Sequence, residues 1–211
     1  MLARQGQDPD DVILVEKGWL RSVRTYAHGA RALLGISGPG ALIGDQEALL
    51  GAVHTSSVVA SGVGAALFVA GERFGDLIAE RPSLDRCVRQ AALLRYRDTV
   101  LHLATLCAAP PEQRISDCLL RLGRRYASRR GGPAELSIPV TQQDLAEWAG
   151  VSRETVERVL RSWRRRGLVS THRRRVVILE TSHLDGLSKA HDLAHEAADL
   201  GAVRPGRSAA G

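Results

Sequence analysis

Between Val12 and Phe74 the apolar positions fall in short β-like runs: Val12–Val15, Leu20–Thr25, Ala32–Ile36, Ala41–Ile43, Val58–Ala60 and Ala66–Val69. Gly18, Gly29, Gly38-Pro39-Gly40, Gly62 and Gly64 separate them, which is the turn punctuation of an all-β barrel or roll. There is no internal repeat. The strands are few for a closed roll and the first begins only about a dozen residues in, so the first part of the domain is expected to be missing, through a wrong start or a truncation.

The period then changes. From about Pro82 to Ala108 the residues Leu84, Cys87, Ala91, Leu94, Leu101 and Ala108 recur at a 3-4 spacing interrupted by Asp98 and Thr105, which predicts one long helix able to serve as a dimer seam. Pro110-Pro111 ends it, because neither ring continues a helix. An amphipathic helix is expected from Glu112 to about Arg129, with Ile115, Leu119, Leu122 and Tyr126 on one face and Gly131-Gly132-Pro133 closing it.

Residues 137–180 carry a denser set of signals. Thr141 is an N-cap three residues before Asp144, opening a short helix with Leu145, Trp148 and Ala149 inward. Gly150 suits a tight turn, and Ser152 caps a second helix whose buried stripe is Val156, Val159, Leu160 and Trp163. Gly167 stops that helix, and Leu168–Ser170, Thr171–Arg175 and Val176–Leu179 read as strand, basic turn and strand. The pattern is a helix-turn-helix followed by a wing.

Charge sharpens this picture. The 211 residues are 44% hydrophobic and 25% charged with a formal net charge of +6, an ordinary globular balance that excludes general disorder. Residues 1–109 hold 11 basic and 11 acidic groups, residues 110–180 hold 15 and 8, and residues 181–211 hold 3 and 4. All the excess lies on the helix-turn-helix segment, where Arg153 to Arg175 contains nine arginines, and a basic folded face attracts phosphate backbones. On the second helix Arg153, Glu154 and Arg158 are not needed for the core. Arg donates two bonds to guanine and Glu accepts from a cytosine amino group, so these three form the expected base-reading set. A purely electrostatic phosphate binder has no use for the glutamate. Thr141, Gln143, Ser152 and Thr155 are expected to hold phosphates from the helix starts, with His172, Arg173, Arg174 and Arg175 reinforcing from the wing. Arg164 to Arg166 are expected to divide between phosphate contacts and solvation.

Other chemistries fit less well. The charge-free stretch from Ala48 to Gly71 contains His54, three serines and four glycines, so it does not read as a spanning helix, and the polar, acidic start is no secretory signal. A cytoplasmic protein with no membrane partner is expected. Cys87, Cys107 and Cys118 form no C-x-x-C pair and read as buried, reduced thiols. Gly35 to Gly40 resembles a nucleophile elbow or phosphate loop, but Pro39 stands where G-x-S-x-G needs its last glycine, and no enzyme is expected. His191 and His195, with His183 nearby, lack an apparent third ligand, so no metal site is expected.

The strings Thr141-Gln-Gln-Asp-Leu-Ala and Ser152-Arg-Glu-Thr-Val-Glu-Arg158 resemble the winged helix-turn-helix of Crp/Fnr transcription regulators. Glu16-Lys17-Gly18, Gly29, Gly38-Pro39-Gly40, Gly44-Asp45 and Arg73-Phe74 fall where that family has its turns, ligand cassette and closing strand, so the resemblance spans about residues 2–180. It implies an α+β chain: a cyclic-nucleotide-binding-like effector roll, incomplete, over residues 1–80, a dimerisation helix over 81–109, a winged helix-turn-helix over 110–182 and a largely disordered tail over 183–211. It further implies a homodimer on double-stranded DNA, reading a TGTGA-like half-site twice in an inverted repeat through Arg153, Glu154 and Arg158, with RNA polymerase as a further partner. The implied effector pocket holds Gly44, Asp45, His54, Thr55 and Thr99. Members that bind cyclic AMP place Glu where this chain has Asp45, and Arg-Ser where it has His54-Thr55. A neutral imidazole substitutes poorly for a bidentate, permanently charged guanidinium, so the effector is unidentified and cyclic AMP is a weak candidate. The cysteines are not arranged to hold an iron–sulfur cluster. The alternative is a degenerate DNA-binding or adaptor protein without an effector response.

Overall fold

The computed structural model describes residues 1–126, 140–172, 175–180, 184 and 186. Six strands and two short helices come first: β1 (Asp11–Lys17), β2 (Leu20–Thr25), β3 (Arg31–Ser37), β4 (Leu42–Ile43), α1 (Asp45–Leu50), β5 (Ser57–Ala60), β6 (Ala65–Ala70) and α2 (Gly71–Glu80). They form two antiparallel three-stranded sheets, ordered β4-β1-β6 and β3-β2-β5. On β1 Val12, Ile13 and Val15 are buried, and on β2 Leu20 and Val23, the latter after a register shift that follows Ser22. Gly18, at φ +90°, lies so close to Gly64 that a Cβ would sit 2.8 Å from the Gly64 Cα, which explains two of the glycines by backbone contact as well as by turn geometry.

Arg73 and Phe74, expected near a closing strand, lie on the helix α2 instead, where Phe74 packs with Val12 and Val88. The short glycine-bounded segments concealed α1 and α2, because each is too brief to show a 3.6-residue period clearly.

The long helix α3 spans Pro82–Ala108, as its spacing predicts, with Pro82 at its first turn. It carries two apolar ladders. Of the expected ladder, Leu84, Ala91 and Leu101 are half-buried and Thr105 is buried, whereas Cys87, Leu94 and Ala108 are exposed. The ladder left exposed is Leu93, Tyr96, Val100, Leu103 and Cys107, with Leu93 68%, Tyr96 69% and Leu103 58% exposed. The spacing is again 3-4, so this exposed row runs beside the exposed members of the expected ladder. Cys87 and Cys107 are exposed, and only Cys118 is buried as expected.

Ala109, in extended conformation, ends α3, and α4 (Pro111–Tyr126) follows directly. Buried Asp117 ties the two helices: its Oδ2 faces His102 Nδ1 of α3 at 3.2 Å and accepts from Arg121 Nε at 2.6 Å. Burial pushes the Asp117 carboxyl up, but the bond to His102 and the charge and bond of Arg121 outweigh it and hold the group below the ordinary 3.8. A lowered folded-state value stabilises the fold above the unfolded value, and that contribution is lost as pH falls through the folded one. The wild-type chain is therefore expected to lose stability progressively below about pH 5. Asp117→Asn should flatten that acid limb in denaturant titrations across pH, and an unchanged limb would contradict the role given to Asp117.

The remaining elements are α5 (Gln142–Ala149), α6 (Arg153–Arg165) and the ribbon β7 (Val169–His172) with β8 (Arg175–Ile178), paired from Val169↔Ile178 to His172↔Arg175. The largest core joins Ile115, Leu119 and Leu122 of α4 to Leu145, Trp148, Leu160 and Trp163, and it continues into the roll through Val23, Leu33 and Ile36. Among the described residues, no helix is long and apolar enough to cross a membrane.

Candidate nucleic-acid interface and effector pocket

The start of α5 is a complete capping box. Thr141 Oγ1 accepts from Asp144 N at 3.1 Å, while Asp144 Oδ2 accepts from Thr141 N at 2.8 Å and Thr141 Oγ1 at 2.7 Å. The Thr141 hydroxyl proton is thus engaged locally, and what α5 offers an anion is its free first-turn N–H groups. Gln143 is exposed and its amide donates to Glu147. Gly150, at φ +60°, closes α5 in the left-handed conformation that the turn requires. Ser152 then caps α6 by accepting from Thr155 N at 3.2 Å, and the Ser152 and Thr155 hydroxyls lie 3.1 Å apart.

Val156, Val159, Leu160 and Trp163 turn inward on α6, and the fully buried Trp163 also donates to Glu112 Oε1 of α4 at 2.6 Å. That stripe fixes the rotation of the helix and leaves Arg153, Glu154, Arg158 and Arg161 exposed. Arg161 is paired with Glu157, whereas Arg158 makes no hydrogen bond or ion pair with any described residue. Backbone hydrogen bonding at the helix start and the Ser152 hydroxyl lower the Glu154 carboxyl below its ordinary value, so it is an anionic acceptor at neutral pH. Arg164 donates to Thr171 Oγ1 at 2.7 Å and so anchors α6 to the wing. His172 and Arg175 are exposed at the two ends of the wing turn, and Arg173 and Arg174 lie outside the described residues. The tail and its histidines, apart from Leu184 and Gly186, also lie outside them.

Gly44, Asp45, His54, Thr55 and Thr99 all line one cavity of about 620 Å³, which also reaches Arg95 of α3, Arg121 of α4 and Glu147 and Trp148 of α5. Asp45 opens α1 and is buried. Its carboxylate receives Arg95, a residue that the sequence reading passed over although it stands one helical turn before Thr99. Thr99 Oγ1 donates to the Arg95 carbonyl at 2.8 Å. His54 is buried with its Nδ1 3.9 Å from Glu47 Oε1, and the Thr55 carbonyl accepts from Arg24 at 2.6 Å. Among the described residues that line the cavity, Arg95 holds Asp45 and Arg121 holds Asp117, while Arg125 is an exposed cation at its edge. A buried cyclic phosphate would therefore have to compete with Asp45 for Arg95 or with Asp117 for Arg121.

Gly44 precedes α1 at φ +81°, and a Cβ there would lie 2.8 Å from the Asp11 carbonyl oxygen. Gly44→Ala is therefore expected to lower stability by about 1–3 kcal/mol, measured by chemical denaturation, and a neutral result would show that the cassette tolerates a left-handed side chain.

Known proteins resemble this chain over most of its length. The cyclic nucleotide-binding domain profile matches residues 1–81 and the Crp-like helix-turn-helix domain profile matches residues 113–187. The CRP-like cAMP-activated global transcriptional regulator of Mycobacterium tuberculosis is 26% identical over 180 residues, covering 85% of this chain and 80% of the relative. The nitrogen fixation regulation protein FixK of Bradyrhizobium diazoefficiens is 25% identical over 176 residues, covering 83% and 73%. Among solved structures, FixK2 from Bradyrhizobium japonicum superposes with a TM-score of 0.78 at 20% identity, over 89% of this chain and 91% of that one. The two profiles, over residues 1–81 and 113–187 with the long helix α3 between them, place this protein in the Crp/Fnr family of transcription regulators.

Proposed function

We propose that the protein is a homodimeric, sequence-specific regulator that binds an inverted repeat of TGTGA-like half-sites in the cytoplasm. The carrying observation is the outer face of α6, where Arg153 and Arg158 flank an anionic Glu154, all three exposed and held in rotation by the buried Trp163. Arg153 and Arg158 read guanines and Glu154 accepts from a cytosine amino group. Gln143, Ser152, Thr155, His172 and Arg173 to Arg175 hold phosphates, with Thr141 contributing as the cap that orders α5. The exposed ladder of α3 joins the two copies, and RNA polymerase is the partner on which the bound dimer acts.

The effector pocket is the cavity around Gly44, Asp45, His54, Thr55 and Thr99. Because Arg95 already engages Asp45 and His54 supplies no permanent charge, DNA binding is expected to be independent of cyclic AMP. The test is titration of a TGTGA inverted repeat against a scrambled duplex at fixed salt, with and without cyclic AMP. Preference for the repeat in both conditions is expected. Preference only with the nucleotide would overturn the reading of the pocket, and no preference would favour a degenerate DNA-binding or adaptor protein.

A further inference from the structure

The DNA-binding head rests on the roll through the sheet β3-β2-β5. Apolar contact dominates: Val23, Leu33 and Ile36 of the roll share a core with Leu145 and Trp148, and Trp19 meets Tyr126 edge to face with ring centroids 4.8 Å apart. Close packing and the edge-to-face rings limit how far the head can turn on this sheet. Among the described residues, a polar contact adds a direction. Arg21, on the central strand β2, donates from Nη2 to Asp144 Oδ2 at 2.8 Å across 123 residues of sequence. Both side chains are mostly shielded, at 17% and 12% exposure, which strengthens the bond relative to a surface pair.

The acceptor is the same oxygen that takes the Thr141 N–H and hydroxyl in the capping box. Arg21 therefore grips the N-terminal turn of α5 itself, and α5 packs directly on α6 through the core that includes Leu145, Leu160 and Trp163. The docked arrangement leaves Arg153, Glu154 and Arg158 exposed, so the contact does not occlude the reading face. We propose that Arg21 is a positioning residue for DNA recognition: by tying α5 to the central strand of the roll it sets the angle at which α6 is presented, and hence the half-site spacing that a dimer accepts.

The proposal rests on the inverted-repeat reading. Its test compares full-length wild type, Arg21→Ala, Arg21→Lys and Asp144→Asn on an isolated half-site and on inverted repeats whose spacing varies one base pair at a time. Each added pair displaces one half-site by about 3.4 Å and rotates it by about 35°. Arg21→Ala is expected to reduce discrimination between the best and adjacent spacings by about tenfold, with half-site affinity unchanged. Arg21→Lys should restore part of it. Asp144→Asn keeps an oxygen acceptor for Thr141, should match Arg21→Ala, and should add nothing when combined with it. An unchanged spacing profile in Arg21→Ala, or an equal loss on the isolated half-site, overturns the positioning role. A wild type with no preference for any repeat overturns the operator reading, and the proposal with it.

Discussion

Arg158→Ala is expected to erase most of the protein's preference for its operator while leaving its affinity for unrelated duplex nearly intact, and Arg153→Ala should do the same at a neighbouring base. A bidentate arginine–guanine contact discriminates by about 1–3 kcal/mol, so each substitution should reduce specific binding by roughly 5- to 150-fold. Arg158 has no hydrogen bond or ion pair with the described residues, so its removal leaves no buried group unsatisfied and should leave the fold unaffected. Arg175 supplies the contrast. It is exposed at the start of β8, and Arg175→Ala should weaken all sequences alike and lower the slope of log affinity against log salt by about 1. Competition assays at several salt concentrations separate the two behaviours. A uniform loss with Arg158→Ala would mean that α6 contacts backbone and not bases.

A second substitution is expected to act at a distance from the DNA. Val100→Glu combined with Leu103→Glu places two like charges on the open face of α3, beside Leu93, Tyr96 and Cys107. In a parallel pair of helices these side chains meet their symmetry mates, and a buried pair of carboxylates is strongly unfavourable there. Neither position belongs to the chain's own buried core, so the subunit should stay folded and become monomeric in sedimentation. Losing the linkage between heads removes the effective concentration of the second one, and affinity for the inverted repeat should fall by on the order of 10²–10⁴ toward that of a half-site. A variant that remains dimeric would place the seam elsewhere.

The two substitutions differ in how legible their sites were in the sequence. The recognition face follows from the stripe Val156, Val159, Leu160 and Trp163, because once those four face inward the helix period dictates what faces out. The bounds of α3 follow equally from Pro82 at its start and Pro110 beyond its end. Which side chains of α3 stay open was less legible, since α3 carries two apolar ladders of the same period, and the roll packed against Leu84 and Val88 covers part of one of them. The pocket was half legible. Gly44, Asp45 and His54 converge, but Arg95 comes from an element distant in sequence, and its partnership with Asp45 is a tertiary fact. Thr141 was found for its capping geometry, yet the same geometry engages its hydroxyl proton, which residue type alone does not reveal.

The central claim is that α6 reads bases in two symmetrically placed half-sites. Selection of bound duplexes from a random pool, at physiological salt and without added effector, tests it most directly. The account predicts recovery of an inverted repeat of a TGTGA-like sequence, with half-site centres about one helical turn apart. Recovery of unrelated sequences with no shared motif, or of a single unpaired site, would contradict it.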